Sequence, residues 1–172
     1  MADHQAWRKA FARQSSSDLK LYQLLCRSAG VPQCHRLHYL QMHLEKIAKA
    51  HLYQTAESDP SDVRIHNVIA KVLPRVVAAY ARQVGHAEKL RPDNQEELRS
   101  LCREIDLLQP SIDADQRRPD NCEYPWREVR NGLPTVLIPA EEKFRVEDRL
   151  RQSMGKLLLK VASKLCEELG SA

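Results

Sequence analysis

The chain has 172 residues, a net charge of +4 and a sequence pI near 8.8. Hydrophobic residues make up 42% of it and charged residues 29%, which excludes a disordered or fibrous chain. No apolar run reaches the roughly 18 residues that a membrane-spanning helix needs, and the 5 cysteines form no CxxC pair. These features predict a single domain over residues 1–172, in the reducing cytoplasm, with no membrane segment and no cofactor.

Helical periodicity dominates the chain up to residue 109 and returns over residues 145–169. Apolar residues recur at steps of three and four over residues 5–28, 32–57, 93–109 and 145–169, and from the turn at 58–62 to residue 83. The serines at 15–17 are suited to divide the first helix, and Pro74 predicts a kink near residues 71–73. The sequence therefore predicts an all-α fold, an up-and-down bundle of four to five helices with a long proline-rich loop before the last one.

The second predicted helix combines an apolar stripe with a run of charge. The stripe is formed by Leu37, Leu40, Leu44, Ile47 and Ala48. Helical spacing places His51 on the same side, which predicts a core histidine with a local hydrogen-bond partner. Glu45 and Lys49 fall on the opposite side, one turn apart. We interpret that side as a solvent-exposed face carrying an ion pair, with a contact surface for another protein as the alternative.

The proline-rich stretch, residues 110–144, shows no helical period. Its segment RRPDNCEYPWREVR, residues 117–130, mixes cations with flat rings, a combination that favours contact with RNA or a nucleotide. The candidate ligand-binding residues are Arg117, Arg118, Tyr124, Trp126, Arg127 and Arg130. The rings, the two prolines and the apolar run TVLIP also fit a strap that packs across the bundle, so both interpretations stay open.

The last predicted helix has a second apolar side opposite its core stripe. Leu159 and Cys166 lie there, with the small residues Gly155 and Ala162 between them. Because a free surface gives no reason for such a patch, this side is predicted to contribute to a homodimer contact.

Two stretches of the first helices carry a family pattern. The chain DLKLYQLLCRSAGVPQCHRLHYLQMHLEKIAKAHL, residues 18–52, has an opening D…Y..L helix followed by a QxxxEKxxKAxL helix. The second pattern is matched by Gln41, Glu45, Lys46, Lys49, Ala50 and Leu52. In these features the chain resembles the HEPN domains, which are small helical bundles. The resemblance implies a bundle of four or five helices that often forms homodimers.

Members of that family differ in activity. Many are metal-independent ribonucleases with an R-x4-6-H motif in a later helix, whereas others lack it and accompany nucleotidyltransferases or act as binding modules. Arg36 and His43 are the only pair here at that spacing, and they lie in the second helix. The resemblance thus implies a binding or interaction module, associated with a nucleotide or RNA, in a toxin–antitoxin or defence-type system. The implied partners are a second copy and a companion nucleotidyltransferase or antitoxin protein.

The alternative is catalysis by the same two residues. In a metal-independent ribonuclease, Arg36 would stabilise the charge that develops at phosphorus and His43 would move protons. His35 and His38 are spaced to share a metal ion, but no third ligand stands at a familiar distance from them, so no metal site is predicted.

Overall fold

The computed structural model describes residues 2–54, 67–85, 90–109 and 121–171. Within these ranges there are six α-helices: α1 (Ala2–Arg27), α2 (Gln33–Gln54), α3 (Val68–Gln83), α4 (Pro92–Asp106), α5 (Arg145–Leu150) and α6 (Ser153–Ser171). Two short strands, β1 (Trp126–Arg130) and β2 (Leu133–Leu137), form a hairpin that is followed by a 3₁₀ turn, Pro139–Glu141. The all-α prediction is confirmed. None of the helices in these ranges has the length and apolar character that crossing a bilayer requires.

The long helices pack as two antiparallel pairs. In the first pair, Trp7 near the start of α1 stacks on Tyr53 near the end of α2. In the second pair, Asp106 at the end of α4 reaches the backbone N–H of Ala70 at the start of α3. Helix α6 contacts all four of these helices and closes the bundle.

Helix α2 lies at the centre of the bundle. Its stripe, formed by Leu37, Leu40, Leu44, Ile47 and Ala48, is buried, and the only exposed side chain over residues 33–53 is that of His35. The prediction that this side of α2 is exposed to solvent is therefore wrong, because the side chains of Glu45 and Lys49 are each 13% exposed. A central helix is covered by its neighbours on every side, whatever the polarity of its residues.

Helix α1 is continuous through the three serines that were expected to be able to divide it. Its buried side is formed by Ala12, Ser15 and Asp18, which are small or polar, while Trp7 is half exposed. Ser15 does not act as a cap. Its hydroxyl donates a hydrogen bond to the carbonyl oxygen of His43 at 2.9 Å, so α1 and α2 approach each other closely at this point.

The last predicted helix is in fact two helices, α5 and α6. The break falls at residues 151–152, and Gly155 in the first turn of α6 lies directly against the end of α5. A Cβ atom at Gly155 would lie 2.4 Å from the carbonyl oxygen of Arg149 and from Cα of Leu150. Glycine is therefore required for this close approach of the two helices.

The side of α6 that was predicted to contact a second copy is mostly covered within one copy. Ala162 and Cys166 are buried, and the Cys166 thiol lies 3.6 Å from the carbonyl oxygen of Ala12 in α1. The small residues on this side of α6 make room for α1, so the prediction that this patch is free for a dimer contact is wrong.

The hairpin in the proline-rich stretch was not predicted. Asn131 and Gly132 connect its strands and both have positive φ, 53° and 78°, as a type I′ turn requires. The Asn-Gly pair was the signal in the sequence. Trp126 at the start of β1 is 8% exposed and its ring lies 6.4 Å from that of Phe144, which anchors the hairpin to the bundle just before α5.

Candidate functional site

Arg36 and His43, the pair considered for catalysis, have their side chains in two different environments. Arg36 donates to Glu147 of α5 at 3.1 Å. His43 faces α1, where its Nδ1 atom lies 2.8 Å from the hydroxyl of Ser15, and it has no exposed surface. The two side chains therefore do not share a cleft in which a phosphate group would reach both.

His43 belongs to a buried polar cluster between α1, α2 and α6. The Ser15 hydroxyl lies 3.2 Å from the Cys166 thiol, and Nε2 of His43 has no hydrogen-bond partner in the described part of the chain. Burial lowers the pKa of His43 from 6.5 to about 4, and it raises the pKa of the Cys166 thiol. A neutral imidazole and a protonated thiol are thus favoured. These groups hold three helices together and are not placed to attack a substrate.

The candidate ligand-binding residues of the proline-rich stretch do not form one surface. Arg117 and Arg118 lie outside the described residues. Trp126 is buried in the bundle, whereas Tyr124 is 61% exposed. Arg130 donates to Glu142 at 2.7 Å, so part of the predicted positive charge is neutralised, and Arg127 is exposed.

A groove between α3 and α4 brings together cations that the sequence analysis did not single out. Its volume is about 320 Å³, and it is lined by Pro74, Arg75, Ala78, Arg82, Gln95, Leu98 and Arg99. Arg75 and Arg82 lie two turns apart on one side of α3, and Arg99 faces them from α4.

The charge of the groove is poorly compensated. Arg99 lies 3.3 Å from Glu96, and both side chains are more than half exposed. Neither Arg75 nor Arg82 makes an ion pair with any residue in the described ranges, and none of the described residues that line the groove is acidic. The groove is therefore a positively charged cleft that fits an anion.

Sequence reasoning missed this groove because its two walls come from different helices. The spacing of Arg75 and Arg82 shows that they share a side of α3, but nothing in the sequence relates that side to Arg99. Only the packing of α3 on α4 brings the three guanidinium groups together.

A second polar cluster lies where α2, α3 and α4 meet. The carboxylate of Asp106 accepts hydrogen bonds from the backbone N–H groups of Ile69 at 3.3 Å and Ala70 at 2.8 Å, and so caps the start of α3. Burial raises the pKa of Asp106 from 3.8 to about 7, although the two N–H donors act in the opposite direction. No group of three or more potential metal ligands occurs among the described residues.

His51 was predicted to have a local partner. It is half buried, and burial lowers its pKa, but its Nδ1 atom has no hydrogen-bond partner among the described residues. The predicted partner of Nδ1 is thus not found in that part of the chain.

Glu45 joins the cluster as a hydrogen-bond acceptor for two side chains. Gln41 donates to it at 2.9 Å and Lys49 at 2.5 Å. We therefore expect Glu45→Ala to lower the free energy of unfolding by about 1–3 kcal/mol, because the largely covered Lys49 loses its partner and Gln41 keeps only a long contact of 3.4 Å to Gln109. Urea denaturation measures this change. The exposed Glu96→Ala is the control and should alter stability little; an equally small effect at Glu45 would mean that its contacts are not maintained in solution.

Comparisons with protein-family models, with curated proteins and with solved structures find no match for this chain. The resemblance to HEPN domains accordingly stays a prediction. The residues that carry it have a structural role here: Lys46 pairs with Asp18 at 2.5 Å, and Gln41, Glu45 and Lys49 form one chain of hydrogen bonds.

Proposed function

We propose that the protein is a non-catalytic binding module that holds phosphate groups of RNA or of a nucleotide in the groove between α3 and α4. One observation carries the proposal: Arg75, Arg82 and Arg99 line one small cleft, and no acidic residue is among the described residues of its lining. The three guanidinium groups repel one another, and a bound anion would relieve this repulsion.

The lining chemistry favours phosphate over other anions. Guanidinium groups bind phosphate oxygens through two parallel hydrogen bonds, and Gln95 adds an amide donor. A volume of about 320 Å³ suits one or two phosphate groups with their sugar. The described part of the lining contains no aromatic ring on which a base would stack, so recognition of the backbone without base preference is expected.

The same lining argues against the ribonuclease alternative. Cleavage without a metal needs a group that moves protons beside the phosphate, and none of the described residues that line the groove is a histidine. His43 has no exposed surface and its pKa is lowered to about 4 by burial. We therefore propose binding without cleavage.

The double variant Arg75→Glu/Arg82→Glu tests the proposal. Its affinity for a short single-stranded RNA is expected to fall about tenfold or more, since two phosphate contacts are replaced by repulsion. The slope of the logarithm of the binding constant against the logarithm of salt concentration should become shallower by about 1.4, at about 0.7 per contact. Fluorescence anisotropy over a salt series measures both quantities.

Arg13→Glu/Arg145→Glu is the matched control, because it changes net charge equally at two exposed arginines away from the groove. An equal loss of affinity in the control would attribute binding to net charge alone and contradict the proposal.

Competition by a mononucleotide distinguishes the two sources of phosphate. If the mononucleotide competes as well as RNA of equal phosphate content, a nucleotide is the ligand; if it competes poorly, the groove follows a polynucleotide backbone.

The proposal extends to a biological setting only through the resemblance of residues 18–52 to HEPN domains. On that basis we propose a place in a toxin–antitoxin or defence-type system, with a companion nucleotidyltransferase or antitoxin protein and a homodimeric state. The neighbouring genes test the companion directly, because one of these two proteins should be encoded beside this one.

A further inference from the structure

No third strand among the described residues pairs with the hairpin, so the outer edge of β1 is unpaired there. Every residue of β1 after Trp126 is exposed. Val129 in the middle of that edge is 69% exposed, although valine is an apolar residue. Exposed strand edges of this kind offer unsatisfied backbone groups to another strand.

The two-residue turn determines which backbone groups point outward. Arg130 and Leu133 flank the turn and form a hydrogen-bonded pair, and such pairs alternate with non-bonded pairs along a hairpin. The backbone groups of Arg127 and Val129 on β1 therefore point away from β2. On β2 the outward position opposite Val129 is Pro134, which has no N–H group. The free edge of β1 is thus intact, while that of β2 lacks a donor.

We propose that β1 pairs with β1 of a second copy, antiparallel, about a two-fold axis at Val129. The two hairpins then form one four-stranded sheet. A two-fold axis perpendicular to the sheet places Val129 beside its own symmetry mate and places Glu128 opposite Arg130 of the second copy, twice. In this arrangement Val129 is covered by Val129 of the second copy. Each of the four charged side chains, Glu128 and Arg130 of both copies, lies opposite one of the other sign.

The charges on β1 decide both the register of the pairing and the partner, which is β1 of a second copy. An axis at Glu128 would place the two Glu128 carboxylates opposite each other, and an axis at Arg127 would bring Pro125, which has no N–H group, opposite Val129. Only the register centred on Val129 joins opposite charges, which makes the edge complementary to itself. Arg130 already contacts its own Glu128 at 3.3 Å and Glu142 at 2.7 Å, so the added carboxylate extends an existing network.

Two charge-reversal variants and their mixture test the pairing. In a homodimer of Glu128→Arg, the new arginine lies opposite Arg130 of the second copy. In a homodimer of Arg130→Glu, the new glutamate lies opposite Glu128 of the second copy. Each is expected to raise the dimer dissociation constant about tenfold or more, because both cross-strand pairs become repulsive. In an equimolar mixture of the two variants both pairs are attractive, so heterodimers should form with nearly wild-type affinity. Sedimentation velocity, with one variant carrying a fluorescent label, measures all three cases.

The controls separate the interface from the stability of the hairpin. Both side chains are about half exposed, so each single variant should stay folded with only a small fall in melting temperature, from the loss of the ion pairs of Arg130 within one copy. Val136→Thr, at the outward position of β2, should leave the dimer unchanged. A wild-type protein that is monomeric at about 100 µM, a mixture that does not associate, or an equal loss in Val136→Thr would each overturn the proposal. None of these results depends on the phosphate groove.

Discussion

Replacing Trp126 with alanine is expected to lower the free energy of unfolding by about 3–5 kcal/mol, as large aromatic truncations in a core do. The ring is 8% exposed and lies 6.4 Å from Phe144. It is the main apolar anchor of a hairpin whose other residues in β1 are all exposed. Its loss removes buried apolar area and leaves a cavity beside the start of α5. Urea denaturation monitored by far-ultraviolet circular dichroism measures the change.

Tyr124→Ala is the matched control for this prediction. Tyr124 is a large ring two residues away but 61% exposed, so its truncation should change stability by less than about 0.5 kcal/mol. The pair also separates the two sequence-based interpretations of this stretch. A Trp126→Ala variant that melts normally and loses RNA binding would favour ligand contact and contradict the packing interpretation.

Two buried groups are expected to give the stability of the fold opposite pH dependences. The pKa of His43 is about 4 in the folded chain, below its ordinary 6.5. Its contribution to stability is therefore complete above pH 6.5 and is lost as the pH falls toward 4. The pKa of Asp106 is raised from 3.8 to about 7, so its contribution is complete below pH 3.8 and is lost as the pH rises through 7. Between about pH 4 and 6.5 the two effects oppose each other.

Asp106→Asn makes this compensation visible. The amide oxygen of asparagine still accepts one of the two hydrogen bonds at the start of α3, and the group no longer titrates; the lost hydrogen bond lowers stability equally at every pH and leaves the pH trend unaffected. The free energy of unfolding of the variant should therefore rise by on the order of a few kcal/mol, relative to the wild type, as the pH increases from 4 to 6.5.

His43→Asn should show the opposite trend, a relative fall over the same interval. Denaturant titrations at several pH values measure both differences, and the remaining carboxylates cancel because they are common to all three proteins. Parallel pH profiles for the wild type and Asp106→Asn would show that Asp106 titrates normally in the folded chain.

The helices could be predicted from the sequence because the information for them is local. The period of Leu37, Leu40, Leu44 and Ile47 indicated α2 and its buried side, and both were confirmed. The apolar periods of the predicted helices indicated an all-α bundle in the same way. A backbone hydrogen bond in a helix joins residues four apart, so a window of a few turns contains most of what decides it.

Burial of polar groups was decided by tertiary structure. Glu45 and Lys49 look like an ordinary exposed pair within α2, and they are covered only because α3 and α4 pack over them. The expectation that the serines of α1 would favour a break likewise considered only the helix in which they lie. Ser15 remains inside a helix because His43, from the next helix, supplies a hydrogen-bond acceptor.

The candidate site depended most on distant parts of the chain. The sequence determined that Arg75 and Arg82 share one side of a helix, and that the Asn-Gly pair suits a hairpin turn. It did not determine that Arg99 would face those arginines, that Trp126 would be buried, or that Gly155 would let α5 and α6 touch. Spacing along the chain specifies local geometry, whereas charge density and burial depend on which segments meet in space, and that is decided when the whole bundle packs.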